Sequence, residues 1–200
     1  MPNVAVLLAD GFETSEALVV VDVLRRAGIR MHTVSVMGTR QVISAQQVQV
    51  ATDETLETCG FDDIDCVVLP GGLPAARRLS CDERVAGVLR DFVGRRKVVA
   101  SSDAGSSVLE ALGLLDGRLV AAYTGSDVTD NEQITYSEAG VVADDNLITS
   151  RNMASMLAFA LTIVSVLAGD QAAEKLCASI GLPLEFDEEP EASGQKDAEA

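Results

Sequence analysis

Three short stretches of the sequence hold side chains whose type and spacing suit chemistry. In Ser101-Ser-Asp-Ala-Gly105, small residues flank Asp103 in the outline of a nucleophile elbow, a tight strand-to-helix turn that lifts its central side chain over a sheet. An aspartate there equally suits a helix N-cap, its carboxylate bonding the free N–H groups of the first turn, and both readings stand. Glu16 follows Asp10-Gly-Phe-Glu-Thr-Ser; in a helix beginning near Thr14 it shares one stripe with Val20, Val23 and Ala27. A carboxylate on an apolar stripe must be protonated, partnered or turned to a cleft, unless it stays in water as a first-turn glutamate favoured by the helix dipole. The third stretch, Asp65-Cys-Val-Val-Leu-Pro-Gly-Gly-Leu-Pro-Ala75, leaves an apolar run through Pro70-Gly71-Gly72. Paired glycines let backbone N–H groups approach an anion, although Pro-Gly-Gly alone is also an ordinary turn.

What must position these residues is a set of buried strands. Apolar runs at Val4–Leu8, Met31–Val36, Val67–Leu69 and Val98–Ala100 are bounded by turn residues and read as parallel strands. Helical patterns at about Thr14–Ala27, Asp82–Val93, Ala104–Leu112 and Met153–Leu167 alternate with them, as in a doubly wound α/β sheet. Short strands at 42–51 and 134–149 read as antiparallel additions, the second a hairpin with turns at Glu138–Gly140 and Asp144–Asn146. In such sheets ligands sit beyond the strand carboxyl ends, and all three stretches follow strands.

Two hundred residues, 48% of them apolar, suit one domain. From Glu185 onward Glu185, Asp187, Glu188, Glu189, Glu191, Asp197 and Glu199 face only Lys196, so the domain is expected over 1–184 with a disordered acidic tail over 185–200. The four cysteines form no C-x-x-C pair and there is one histidine, so zinc is not expected. No cofactor is expected either. A net charge of −16 argues against nucleic acid or an anionic membrane as partner. The first ten residues lack the basic start and long apolar run of a leader or membrane span, which leads us to expect a reducing, cytoplasmic setting.

The order and spacing of these stretches resemble the ThiJ/PfpI superfamily, in particular the branch of the Parkinson-disease-associated protein deglycase and its bacterial relatives. The resemblance covers about residues 3–180. It rests on Leu8-Ala-Asp-Gly-Phe-Glu-Thr-Ser-Glu16, Asp22-Val-Leu-Arg-Arg-Ala-Gly-Ile29, Val67-Val-Leu-Pro-Gly-Gly72, Ala104-Gly105, and Tyr136-Ser-Glu138 through Leu147-Ile-Thr-Ser-Arg151. It implies a flavodoxin-like three-layer sandwich, mostly parallel, with helices on both faces and an added antiparallel hairpin, assembled as a homodimer. It also implies a pocket at the elbow in which Glu16 matches a glutamate that, in the family, hydrogen-bonds a reactive cysteine. Oxyanion-type amides would fall at Gly72 and Ala104, and Glu13, Gly71, Tyr123 and Arg151 would line the pocket. Family members are described as acting on glyoxals or glycated groups, or as oxidation sensors and chaperones whose cysteine becomes a sulfinate.

The sequence departs from that pattern at two places. Asp103 stands where the cysteine belongs, and Tyr123 where a pocket histidine is usual. His32, inside the second expected strand, cannot substitute, and no cysteine falls at the elbow. Thiol-dependent glyoxalase, deglycase or protease chemistry is therefore not expected there. Two adjacent carboxyls ionise together only at a cost, so Glu16 and Asp103 are expected to share a proton, with Asp103 keeping the charge at a helix N-terminus. One outcome is a binding or stress-response module that mimics a sulfinate. The other is an enzyme using carboxylate nucleophilic or acid/base catalysis on a small carbonyl compound or ester.

Overall fold

The computed structural model describes residues 1–121 and 131–182. Tyr123, the expected boundary at 184 and the acidic segment 185–200 lie outside the described residues. The chain opens with β1 (Asn3–Leu8), α1 (Thr14–Arg26) and β2 (Arg30–Ser35), then a hairpin of β3 (Gln41–Ile43) and β4 (Gln49–Ala51), then β5 (Glu54–Thr55). There follow β6 (Cys66–Leu69), α2 (Leu73–Ser80), α3 (Glu83–Gly94), β7 (Val98–Ser102) and α4 (Ser106–Ala111). The last described elements are β8 (Leu119–Ala121), β9 (Thr135–Ser137), β10 (Val141–Asp144), β11 (Leu147–Ser150), α5 (Met156–Ala168) and α6 (Asp170–Ser179).

Seven strands form one sheet in the order β10-β11-β7-β6-β1-β2-β5, parallel except for β10. Every residue of β1 and of β6 is buried, and after the leading Asn3 and Cys66 both are unbroken runs of Val, Ala and Leu, as suits a sheet covered on both faces. Helices α1, α5 and α6 pack together on one face and α2, α3 and α4 on the other, making the three-layer flavodoxin-like sandwich. The run Met156-Leu-Ala-Phe-Ala-Leu-Thr-Ile-Val of α5, apolar but for Thr162, fits its position, since it faces both α1 and the sheet. Among the described residues, no helix is long and apolar enough to cross a membrane.

The additions differ in detail from expectation. β3 and β4 do form an antiparallel pair, and the turn at Asp144–Asn146 does join β10 to β11, with Asp145 at a φ of 55°. The stretch at Glu138–Gly140 is not a hairpin turn, because β9 pairs with β8 and not with β10. Nor is β11 an appendage: it lies parallel to β7 in the main sheet, with Ser150 opposite Ser102. Its four buried residues, Leu147–Ser150, are the signal that separates it from an edge strand. The sequence reading also passes over α2, a helix whose first turn contains Pro74 and which begins directly after the Pro-Gly-Gly turn.

Strand order reverses about β1: the chain moves outward to β2 on one side and returns to β6 and β7 on the other. The carboxyl ends of β1, β6 and β7 therefore open side by side, and the three stretches singled out above meet there.

Candidate functional site at the strand carboxyl ends

Asp103 follows β7 directly and holds a φ of 45°, a left-handed conformation uncommon for a residue with a Cβ. It starts a short 3-10 turn, Asp103–Gly105, and Gly105 explains how so sharp a turn fits. A Cβ on Gly105 would stand 2.4 Å from the Leu69 carbonyl oxygen, so only glycine lets the elbow sit against the end of β6. A capping residue has extended dihedrals, and Asp103 does not, so the elbow outline and not the N-cap describes its backbone. Its Oδ1 is buried without a hydrogen-bond partner.

Glu16 is 2% exposed. The stripe predicted for α1 is therefore a buried one, and the water-facing alternative is not adopted. Its Oε2 accepts hydrogen bonds from the Gly71 N–H at 3.0 Å and from the Ser102 Oγ at 2.6 Å. The two carboxyls face each other across Gly71. A Cβ built there would lie 2.5 Å from Glu16 Oε2 and 3.1 Å from Asp103 Oδ2, which places those oxygens within about 6 Å of each other. Glu16's hydrogen bonds go to Gly71 and Ser102, however, and not to Asp103. Asp103 acts on Glu16 as a like charge that raises its carboxyl.

That repulsion acts in a poorly solvated place. Burial pushes the Glu16 carboxyl above the usual carboxylate range; the Ser102 hydroxyl opposes this, Asp103 reinforces it, the Gly71 amide opposes it and Glu13 reinforces it. Asp103 is also raised, first by burial, with the Ala104 N–H pulling the other way and Glu13 adding to the rise. One amide and a short 3-10 turn thus do not offset burial among carboxylates at Asp103, and both carboxyls of the pair are raised.

A folded-state pKa above the unfolded value means that the native protein binds more protons than the unfolded chain in the pH window between the two. Stability then falls as pH rises from about 4.5 through that window, and the whole cost is present above it. Glu16→Gln keeps an acceptor for Gly71 and Ser102 and deletes the charge. It is expected to raise the urea midpoint at pH 8 and to lose that advantage progressively towards pH 4.5. Equal midpoints across the range would show that Glu16 is not strained by ionisation.

The surrounding residues are fixed by the loops. The Glu13 N–H donates to the Gly71 carbonyl at 2.9 Å, and its Oε2 accepts from Gln46 Nε2 at 2.7 Å, so the β3–β4 hairpin holds the start of α1. Arg151 comes directly after Ser150, the partner of Ser102 in the sheet register, which sets it one strand from the elbow; its Nη1 donates to the Glu138 carbonyl at 2.8 Å. Gly72 caps α2 at a φ of 109°, beside Gly71. Of the two glycines, Gly71 already spends its amide on Glu16 and Ser102, and of the expected oxyanion amides the Ala104 N–H is engaged by the Asp103 carboxyl itself, which leaves Gly72 as the other candidate. Ser102 and Gln46 were not anticipated. A polar pair, Ser101-Ser102, closing an otherwise apolar strand was the available signal for Ser102; nothing local pointed to Gln46.

The thiols lie elsewhere. Cys66 opens β6, at the far end of the strand from the elbow, Cys177 is buried in α6, and Cys81 is exposed after α2. Burial pushes the Cys59 thiol up to about 11 and the Cys66 thiol further, so both stay protonated near neutrality. Among the described residues, no group of three or more His, Cys, Asp or Glu side chains is placed to hold a metal ion.

Comparison with known proteins gives this arrangement a context. The DJ-1/PfpI family pattern matches residues 2–166. The Parkinson disease protein 7 homolog of Danio rerio is 37% identical over 178 residues, which is 88% of this chain and 94% of that protein. A deglycase of Pyrococcus horikoshii is 30% identical over 167 residues, 82% of this chain and 99% of its own. The crystal structure of Drosophila melanogaster DJ-1beta superposes with a TM-score of 0.87 at 31% identity, covering 91% of this chain and 98% of that one.

Proposed function

The chain belongs to the DJ-1/PfpI family, and from that premise we propose that it is a non-thiol binding or stress-response module in which Asp103 and Glu16 stand in for the oxidised, sulfinate-bearing cysteine of its relatives. What supports the reading is one arrangement: a carboxyl on a left-handed elbow, Oδ1 buried and unbonded, facing a buried glutamate across a glycine. A carboxylate resembles a sulfinate in charge and in carrying two acceptor oxygens, and its position cannot be changed by peroxide. On this reading the module is cytoplasmic and is permanently in the state that a cysteine-bearing relative reaches only under oxidation. The reading includes pairing with a second copy. A groove of about 990 Å³ whose lining includes Leu18, Val19, Met153, Leu157, Ile180 and Leu182 offers apolar surface for it, and sedimentation as a monomer at micromolar concentration would remove that part.

A second reading rests on the same unbonded oxygen. Asp103 could attack an electrophilic carbon to form an ester that water then hydrolyses, with the Gly72 and Ala104 amides receiving developing negative charge. Alternatively, the two raised carboxyls could pass a proton to and from a small carbonyl compound. The deglycase among its relatives makes such a substrate class worth testing.

One experiment separates the two. The protein is incubated with methylglyoxal, and separately with hydrogen peroxide, and the mass of the peptide carrying Asp103 is followed. The module reading expects no methylglyoxal consumption above buffer and no mass change at the elbow with either reagent. Consumption that Asp103→Asn abolishes would overturn it in favour of carboxylate catalysis.

A further inference from the structure

Acidic residues outnumber basic ones 31 to 15 in this chain, so an exposed arginine should rarely lack a partner. Most do have one: Arg25 pairs with Asp53, Arg26 with Asp22, Arg84 with Asp82 and Glu57, Arg95 with Asp91, and Arg96 with Asp145. Among the described residues, Arg30, Arg77, Arg78 and Arg90 are exposed with neither an ion pair nor a hydrogen bond from the side chain. Arg30 and Arg90 stand singly. Arg77 and Arg78 stand together on α2, a helix without an acidic side chain, whose solvent face also exposes Leu73 (52% exposed) and Pro74. This face begins one residue after Gly72 and so flanks the elbow.

Asp82 and Glu83 line a cleft with Arg78, but Asp82 is engaged by Arg84, so positive charge on α2 remains, and it has a counterpart in the same chain. Residues 185–200 carry a net charge of −6, with Leu184 and Phe186 at the near end. Leu182 lines the same groove as Glu13, and the Glu13 N–H is bonded to the Gly71 carbonyl, so one groove leads from the last described residue to the turn that precedes α2. Sixteen residues at up to about 3.3 Å each reach roughly 50 Å, enough to cover a helix of eight residues. A tether also holds a segment at an effective concentration on the order of millimolar, so contacts too weak to act between molecules suffice within one. We infer that the acidic segment 185–200 docks on the exposed face of α2 in its own chain, its carboxylates on Arg77 and Arg78 and its Leu184–Phe186 end near Leu73. The inference is independent of what the elbow does.

Cys81, exposed at the C-cap of α2, provides the probe position. A nitroxide is attached there in the full chain carrying Cys59→Ser, and amide signals of residues 185–200 are compared with the label oxidised and reduced. At about 50 mM salt the docked segment should lose at least about half its signal intensity, and at about 500 mM, where the screening length falls to a few ångströms, it should recover. Arg77→Glu with Arg78→Glu should abolish the loss at low salt. Full intensity at low salt would overturn the inference, as would losses that the double substitution leaves unchanged. Losses that appear only when labelled, isotope-free protein is mixed with unlabelled ¹⁵N protein would assign the α2 face to another copy and overturn it equally.

Discussion

Gly72→Ala is expected to be among the most damaging single-methyl changes in this protein. Two costs add at that residue. Its φ of 109° lies where a Cβ meets the neighbouring backbone, a penalty of roughly 1–2 kcal/mol for a side-chain-bearing residue. The added Cβ would also stand 2.3 Å from the Gly11 carbonyl oxygen and 3.0 Å from the Glu13 nitrogen, both main-chain atoms that no rotamer change can move. Overpacking of that kind costs about 1–3 kcal/mol more, so the total is about 3 kcal/mol, a large part of a typical domain's stability. Gly28→Ala separates the terms. Gly28 has a φ of 73° with nothing within 4 Å of an added Cβ, so only the backbone penalty, about 1 kcal/mol, applies. Urea unfolding of the two variants should show the difference, and a Gly72→Ala loss no larger than that of Gly28→Ala would mean that the loop after β1 yields easily. The consequence for the site follows from chain order. Displacing Gly72 displaces Gly71, whose amide holds Glu16 and whose carbonyl holds the start of α1.

Why the sequence reveals some of this and not the rest is a matter of range. The strands at Val4–Leu8 and Val67–Leu69 are legible because a sheet buried on both faces needs every side chain apolar, a local and unbroken signal. Glu16 is legible for the complementary reason, as a carboxylate at helical spacing on an apolar stripe. Asp103 is only half legible. Its flanking small residues admit an elbow or a cap, and the choice falls to Gly105, whose need is set by the Leu69 carbonyl more than thirty residues away in the chain. The hydrogen bonds of Glu16 could not be read at all, because they depend on which way the end of β7 turns its two serines. Ser102 turns to Glu16 and Ser101 to Ser106. For the same reason the partners of Glu16 were not legible: a hydroxyl and an amide reach its Oε2, and Asp103 acts on it as a neighbouring like charge.

The substitution Asp103→Cys should convert the elbow from a site inert to peroxide into the most readily oxidised position of the chain. The thiol would stand at a left-handed turn beside the Ala104 N–H, which favours the thiolate, and opposite Glu16, whose burial favours the protonated form able to donate to an anion. Burial and the charge of Glu13 oppose this, as they do for the Asp103 carboxyl, so the expected activation rests on the Ala104 amide and a protonated Glu16 acting together. Peroxide would then add oxygen to sulfur in two steps, first to the sulfenate and then to the sulfinate, each releasing water, and the second product reproduces the charge that Asp103 carries in the natural chain. The internal comparison is already present: Cys59 at about 11 has almost no thiolate at neutral pH, while Cys81 is exposed and reports ordinary reactivity. Peptide mass spectrometry after graded peroxide should show two oxygens added at position 103 at least about tenfold faster than any addition at Cys81, and Glu16→Gln in the same background should alter how far oxidation proceeds. If position 103 reacts no faster than Cys81, the elbow does not activate an anion. The likeness between Asp103 and an oxidised cysteine would then be one of position only, and the module reading would lose its chemical basis.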